Sequence, residues 1–238
     1  AWRAISSPAL AALANCCPQL EELDLSGTWD EFGSPMRCVD DDAMTAAISH
    51  GLHKLTKLNL SLTATSDPTL VALGTSCPEL RCLNLSACAS DSDSHATGYG
   101  VGDGNAEFAA GRYTDEGVVA LAHGCRMLEW LDLHRCCRLT DCSMTAIAEN
   151  CKELRYLDIS GAACPPSDHR EWMPETFAAS ERPMLFTGVA VQTLATCCPK
   201  LSYLNVAFCP GIPEEALQSS YGHVVVDWAA KCPMSQLC

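Results

Sequence analysis

The segment CRMLEWLDLHRCCRLTDCSMTAIAEN, residues 125–150, holds one histidine and four cysteines among apolar residues. Histidine and thiols this close together are the residue types of a zinc centre or of an activated thiol nucleophile. Zinc sites draw on close ligand pairs such as C-x-x-C, and no two cysteines in this chain stand three residues apart. The adjacent pairs Cys16–Cys17, Cys136–Cys137 and Cys197–Cys198 match no tetrahedral spacing either. A second copy of the pattern explains the thiols better: CKELRYLDIS begins at Cys151, and its leucines superimpose on those of the first segment at an offset of 26 residues.

Aligned on the central leucine, six segments share this form. They begin at Cys17, Leu52, Cys77, Cys125, Cys151 and Cys198, with anchors Leu23, Leu58, Leu83, Leu131, Leu157 and Leu204 spaced 35, 25, 48, 26 and 47 residues apart. The pattern L-x-x-L-x-L-x-x-N/C is the leucine-rich-repeat signature. In x-L-x-L-x the alternation has period 2, so each segment predicts a short strand with leucines inward and polar residues outward. Each is followed by apolar residues at helical spacing, as in DPTLVALGTSC, DEGVVALAHGC and DCSMTAIAENC. Asp67, Asp115, Asp141 and Thr187 are the expected caps, and Pro68 lies in a first turn. One strand and one helix cannot bury their own apolar faces, so neighbours must stack. The expected fold is a curved α/β solenoid of about six repeats, with a parallel sheet on the concave face and helices on the convex face.

On this reading residues 1–16 form an N-terminal helix or cap, 17–220 the six repeats, and 221–238 a C-terminal cap with a last strand at Val224–Val226 and Trp228 covering it. Cysteines that recur in register with leucines act as small buried hydrophobes in a reducing compartment, so they are packing residues and the protein is expected to be intracellular and cytoplasmic. The chain carries 15 Lys+Arg against 29 Asp+Glu, a net charge of −14, which argues against nucleic acid or anionic membranes as partners. The expected partners are other proteins. No apolar run reaches the ~20 residues a bilayer span needs, and the start AWRAISSPAL has no secretory-signal layout. The missing initial Met suggests absent N-terminal residues.

Three outward columns run down the predicted concave face. Trp130, Tyr156 and Tyr203 are consecutive in the first. Asp24, Asn59, Asn84, Asp132, Asp158 and Asn205 make the second, and Ser26, Ser61, Ser86, His134, Ser160 and Ala207 the third. The aromatics are either interface anchors or covers for neighbouring side chains. The Asp/Asn column either takes Arg or Lys from a partner or satisfies local hydrogen bonds. Trp130, Tyr156, Tyr203, Asp132, Asp158 and His134 are the candidate protein-binding residues. Asp132 and His134 face outward while Cys136 turns inward, so no Cys–His dyad forms. With no phosphate-binding loop, nucleophile elbow or H-E-x-x-H, the chain is read as non-enzymatic, with no cofactor, metal or small-molecule substrate.

Repeats one, three and five are lengthened between strand and helix by residues 28–41, 89–113 and 163–186. The second insertion is rich in Gly, Ser and Asp. The third carries Trp172, Phe177 and Phe186 among prolines, and is expected to fold over the rim or to meet a partner there.

The cadence C-P-x-L-x-x-L-x-L-x-x-C-x-x-L-T-D, plainest in CRMLEWLDLHRCCRLTD, resembles the cysteine-containing repeats of F-box/LRR proteins over about residues 8–220. In that family the solenoid binds a protein substrate while an N-terminal F-box docks the Skp adaptor of a cullin–RING ubiquitin ligase. AWRAISSPALAALANC has no F-box and departs from that layout. Other members are fixed structural subunits, including a small one in the nexin–dynein regulatory complex of motile cilia, which this chain resembles in size and repeat type. The resemblance therefore implies a structural subunit of a larger assembly, with an axonemal location. A ligase substrate receptor is the alternative.

Overall fold

The computed structural model describes residues 5–26, 41–61, 63, 65–86, 113–136, 138–161, 186–207, 209, 211–213, 215–216 and 223–227. Helices and strands alternate from α1 to β6, and a seventh strand follows. The helices are α1 (Ser7–Cys16), α2 (Asp41–His50), α3 (Asp67–Ser76), α4 (Asp115–Gly124), α5 (Asp141–Asn150) and α6 (Gly188–Cys197). The strands are β1 (Glu22–Asp24), β2 (Lys57–Asn59), β3 (Cys82–Asn84), β4 (Trp130–Asp132), β5 (Tyr156–Asp158), β6 (Tyr203–Asn205) and β7 (Val225–Asp227). All seven strands lie in one parallel sheet in sequence order, and each helix packs on the next to form the second layer. This is a leucine-rich-repeat solenoid.

The register follows the leucines. Leu58 pairs with Leu83, Leu83 with Leu131, Leu131 with Leu157, and Leu157 with Leu204. All five of these leucines are buried in one continuous core with Leu70, Leu73, Leu121, Met144, Ile147 and Leu194 from the helices. Each such side chain contributes about 2 kcal/mol through burial. Leu23 is only partly buried, since β1 is an edge strand. β7 continues the sheet in the same register, Val226 opposite Leu204 and Asp227 opposite Asn205. Trp228 lies outside the described residues.

The repeated cysteines do more than fill space. Cys77, Cys125, Cys151 and Cys198 are buried at the C-caps of α3, α4, α5 and α6, where each backbone N–H donates to the helix. Their thiols point at carbonyl oxygens of the preceding repeat. Cys77 Sγ lies 3.2 Å from Leu52 O, Cys125 Sγ 3.3 Å from Cys77 O, and Cys198 Sγ 3.8 Å from Cys151 O. Cysteine suits this slot because it has an alanine-sized apolar body and a weak donor for a helix-end carbonyl. Burial pushes the Cys77 and Cys151 thiols up to about 12 and the Cys198 thiol up to about 11, so they remain protonated and unreactive. Cys17 is the exception. It was expected to pack like the others but is exposed, because no repeat precedes it among the described residues to cover it.

The helix starts also differ from the expected capping. Asp67, Asp115 and Asp141 are the first helical residues, and the caps are Ser66, Thr114 and Thr140; only Thr187 caps as expected. The aspartates instead reach to the next repeat. Thr114 donates to Asp67 through its N–H (2.8 Å) and hydroxyl (2.6 Å). Thr140 does the same to Asp115 (2.9 and 2.6 Å), and Thr187 to Asp141 (2.9 and 2.5 Å). Ser66 repeats the arrangement with Asp41. Each carboxylate thus sits at its own helix N-terminus, where the dipole favours it, and ties that helix to the following cap. Burial acts to raise the Asp115 pKa, but hydrogen bonds from Ser143 and Thr140 outweigh it and leave the group below its ordinary value. Asp115→Ala should lower the unfolding free energy by about 2 kcal/mol, measured by urea denaturation, because it strips three donors of one acceptor group.

The last residue of each expected insertion belongs to this framework. Asp41 opens α2 and holds Ser66, while Tyr113 is buried with its hydroxyl 2.5 Å from Thr65 Oγ1. Phe186, expected with the third insertion to fold over the rim or to meet a partner there, is 2% exposed in the core and so is not a partner-facing residue. An aromatic just before a helix buries its ring against the layer that helix joins. Trp172 and Phe177 lie outside the described residues.

Candidate functional site

A parallel sheet holds equivalent positions on neighbouring strands ~4.8 Å apart, about the distance at which aromatic rings stack. Trp130, Tyr156 and Tyr203 occupy one such row. The centroids of Trp130 and Tyr156 are 5.1 Å apart with planes inclined by 12°, and those of Tyr156 and Tyr203 are 5.1 Å apart and inclined by 5°. The three rings form one half-buried slab on the concave face, in which each ring covers its neighbour and keeps part of its surface exposed. The Trp130 Nε1–H finds no acceptor among the described residues.

The later members of the Asp/Asn column lie lower than expected, whereas Asp24 is exposed and Asn59 and Asn84 are partly exposed. Asp132, Asp158 and Asn205 are 8%, 4% and 5% exposed, forming a polar floor beside the slab rather than an exposed ladder. Every member folds back on the turn after its own strand: Asp24, Asn59, Asn84, Asp132, Asp158 and Asn205 accept the N–H of Ser26, Ser61, Ser86, His134, Ser160 and Ala207 at 2.8–3.1 Å. Such Asx turns shorten the side chain's reach and draw it to the backbone. Cross-strand bonds join some members. Asn59 Nδ2 donates to Asp24 Oδ2 (3.2 Å), and Asn205 Nδ2 to Asp158 Oδ2 (2.8 Å). Asp158 also takes the Ser160 hydroxyl at 2.5 Å and the Tyr156 hydroxyl at 3.4 Å.

Asp132 stands apart. Its neighbour on the next strand is Asp158, an acceptor in place of an amide donor, and the His134 N–H is its sole hydrogen bond among the described residues. Burial, and secondarily the charge on Asp158, push the Asp132 carboxyl up to about 7. Burial and the nearby Asp158 and Asp132 carboxylates likewise raise the Tyr156 hydroxyl well above its ordinary value. His134 is partly buried, its Nδ1 2.7 Å from Ser160 Oγ.

Sequence reasoning missed Asp227, which extends the floor and accepts the Tyr203 hydroxyl at 2.9 Å. Aligning V-V-D at 225–227 with Y-L-N at 203–205 would have found it. It also missed Glu129, which lies between Arg81 (2.5 Å) and Arg155 (3.5 Å) at the rim of the same strands. Among the described residues no cluster of His, Cys, Asp and Glu is arranged to hold a metal, and no helix is long and apolar enough to cross a membrane.

No family model matches the chain. It is 30% identical over 159 residues to F-box protein SKIP1 of Arabidopsis thaliana, a match covering 58% of this chain and 50% of that protein. The chain thus spans about half the length of the curated relative it matches. Among solved structures it superposes on a chain of the yeast Rad7–Elc1 complex with a TM-score of 0.49 and 13% identity, covering 93% of this chain and 57% of that one. The leucine-rich-repeat protein LegL7 of Legionella pneumophila gives a TM-score of 0.43 at 14% identity, with 87% and 54% covered.

Proposed function

We propose that this chain is a non-enzymatic protein-interaction module whose concave face docks a protein partner. The observation that carries the reading is the slab Trp130–Tyr156–Tyr203, three half-buried rings in stacking contact on a rigid sheet. Rings already immobilised by their neighbours lose little side-chain freedom on binding, which is what an anchor requires. The module serves as a structural subunit of a larger intracellular assembly, and its size and repeat type point to the nexin–dynein regulatory complex of motile cilia as one such assembly. A second reading, substrate receptor of a cullin–RING ubiquitin ligase, is favoured by the match to a protein named as an F-box protein.

Gentle extraction of the tagged wild-type protein and of Trp130→Ala, followed by quantitative mass spectrometry, tests the proposal. Structural proteins at fixed stoichiometry, depleted at least about tenfold by Trp130→Ala, are the expected result. Recovery of a Skp adaptor and a cullin identifies a ligase receptor instead. Partners retained equally by both forms overturn the concave-face reading.

A further inference from the structure

We propose that the break in the concave-face ladder at Asp132 seats a lysine or arginine side chain supplied by the protein partner. The inference rests on the concave-face reading above and names the chemistry of what docks there. At the two bonded steps of the column an amide on the following strand donates to a carboxylate, Asn59 to Asp24 and Asn205 to Asp158, while among the described residues the Asn59–Asn84 and Asn84–Asp132 steps carry no such bond. At the step from β4 to β5 the following residue is Asp158, whose oxygens are already taken by Ser160, Asn205 and Tyr156. Asp132, more than nine-tenths buried, is left without a cross-strand donor.

Among the described residues no cationic side chain, His134 and Arg135 of the same turn included, donates a hydrogen bond to Asp132. β3 presents Asn84 opposite it, which accepts from Ser86, and β5 presents Asp158 with Tyr156 and Ser160 beside it. Its own turn presents His134, held to Ser160. The nearest arginines in the row before the strands, Arg81 and Arg155, are turned to Glu129.

A divalent metal needs several oxygen ligands, and one incompletely used carboxylate supplies too few. A single charge-assisted N–H⁺ donor matches the Asp132 Oδ2 left without one, and the adjacent Trp130–Tyr156 rings offer apolar surface to its methylene stem. Seating a cation there draws Asp132 into its charged form, so binding releases a proton from it below about pH 7.

The test uses the whole chain and a displayed library of short random peptides. Selected binders are resynthesised with arginine replaced by citrulline and lysine by norleucine, and measured by titration calorimetry in buffers of different ionisation heat. Asp132→Asn retains the acceptor for the His134 N–H, and its fold is checked by circular dichroism. Expected on the wild type are a cation shared by the binders, a loss of at least about tenfold on its neutral replacement, and proton release that fades above about pH 7. In Asp132→Asn the replacement has no effect and the proton release is gone. Binders indifferent to the cation, or a cation preference unchanged in Asp132→Asn, overturn the inference. If those binders are still weakened by Trp130→Ala, the concave face remains the docking site and only its cation preference is lost. Binders insensitive to both substitutions, or a library that yields none, count against both readings.

Discussion

Asp132→Asn should raise the unfolding free energy at about pH 8 by roughly 2 to 4 kcal/mol. Burial and Asp158 lift the Asp132 carboxyl from 3.8 to about 7 in the folded chain. The folded state therefore holds this proton more tightly than the unfolded chain does. Stability falls as pH rises from near 3.8, and the loss is complete above about 7, where the folded carboxyl is also ionised. A shift of this size corresponds to roughly 4 kcal/mol, and burying the asparagine amide takes back a part of it. Urea denaturation of both forms between about pH 4 and about pH 8 checks this, with the two curves converging at the acid end. A wild type whose stability does not fall over that window would show that Asp132 is better solvated than its surroundings indicate. Few natural proteins retain such a destabilised carboxylate without use for it, and a docked cation would relieve it.

Gly124→Ala should cost at least about 3 kcal/mol, a second large effect arising from backbone rather than charge. A Cβ at Gly124 would lie 1.7 Å from the Gly74 carbonyl oxygen, and a Cβ at Gly74 would lie 2.4 Å from the Ala120 oxygen. Helices α3 and α4 thus touch through main chain, so no side-chain rotation relieves the clash and the helices must separate. Ordinarily Gly to Ala within a helix is stabilising by up to about 1 kcal/mol, so the sign itself is diagnostic. Thermal and urea unfolding of Gly124→Ala should show the loss. A neutral or stabilising result would mean that α3 and α4 stand farther apart.

The fold was legible because its signal is a repeated one. Six leucine anchors in register predicted the strand cores residue for residue, and the observed pairing of Leu58, Leu83, Leu131, Leu157 and Leu204 follows them. The seventh strand was visible as an apolar run, though its place in the register was not. There Val226 stands in place of the anchor leucine, so only the match of Asp227 to Asn205 marks the register. Of the site, the aromatic row was predicted and its stacking follows from strand spacing. The depth of Asp132, Asp158 and Asn205 was not, because alternation assigns a face to a side chain and says nothing of how deeply its neighbours across the sheet bury it.

The sequence by itself determined the repeat, the inward leucines, the parallel sheet and the row of rings. These depend on the periodicity of one short motif and on the spacing of strands, both local properties. Only the tertiary structure decided which groups are partnered. Asp67, Asp115 and Asp141 read as caps of their own helices, yet each holds the cap of the next. Cys17 and Cys77 look alike in sequence, yet among the described residues only Cys77 has a preceding repeat to bury it. Asp132 looks like Asp24, yet its neighbour across the sheet is an acid where that of Asp24 is an amide. Hydrogen bonding, burial and charge depend on what lies beside a residue in space, and in a solenoid that neighbour is 25 to 48 residues away.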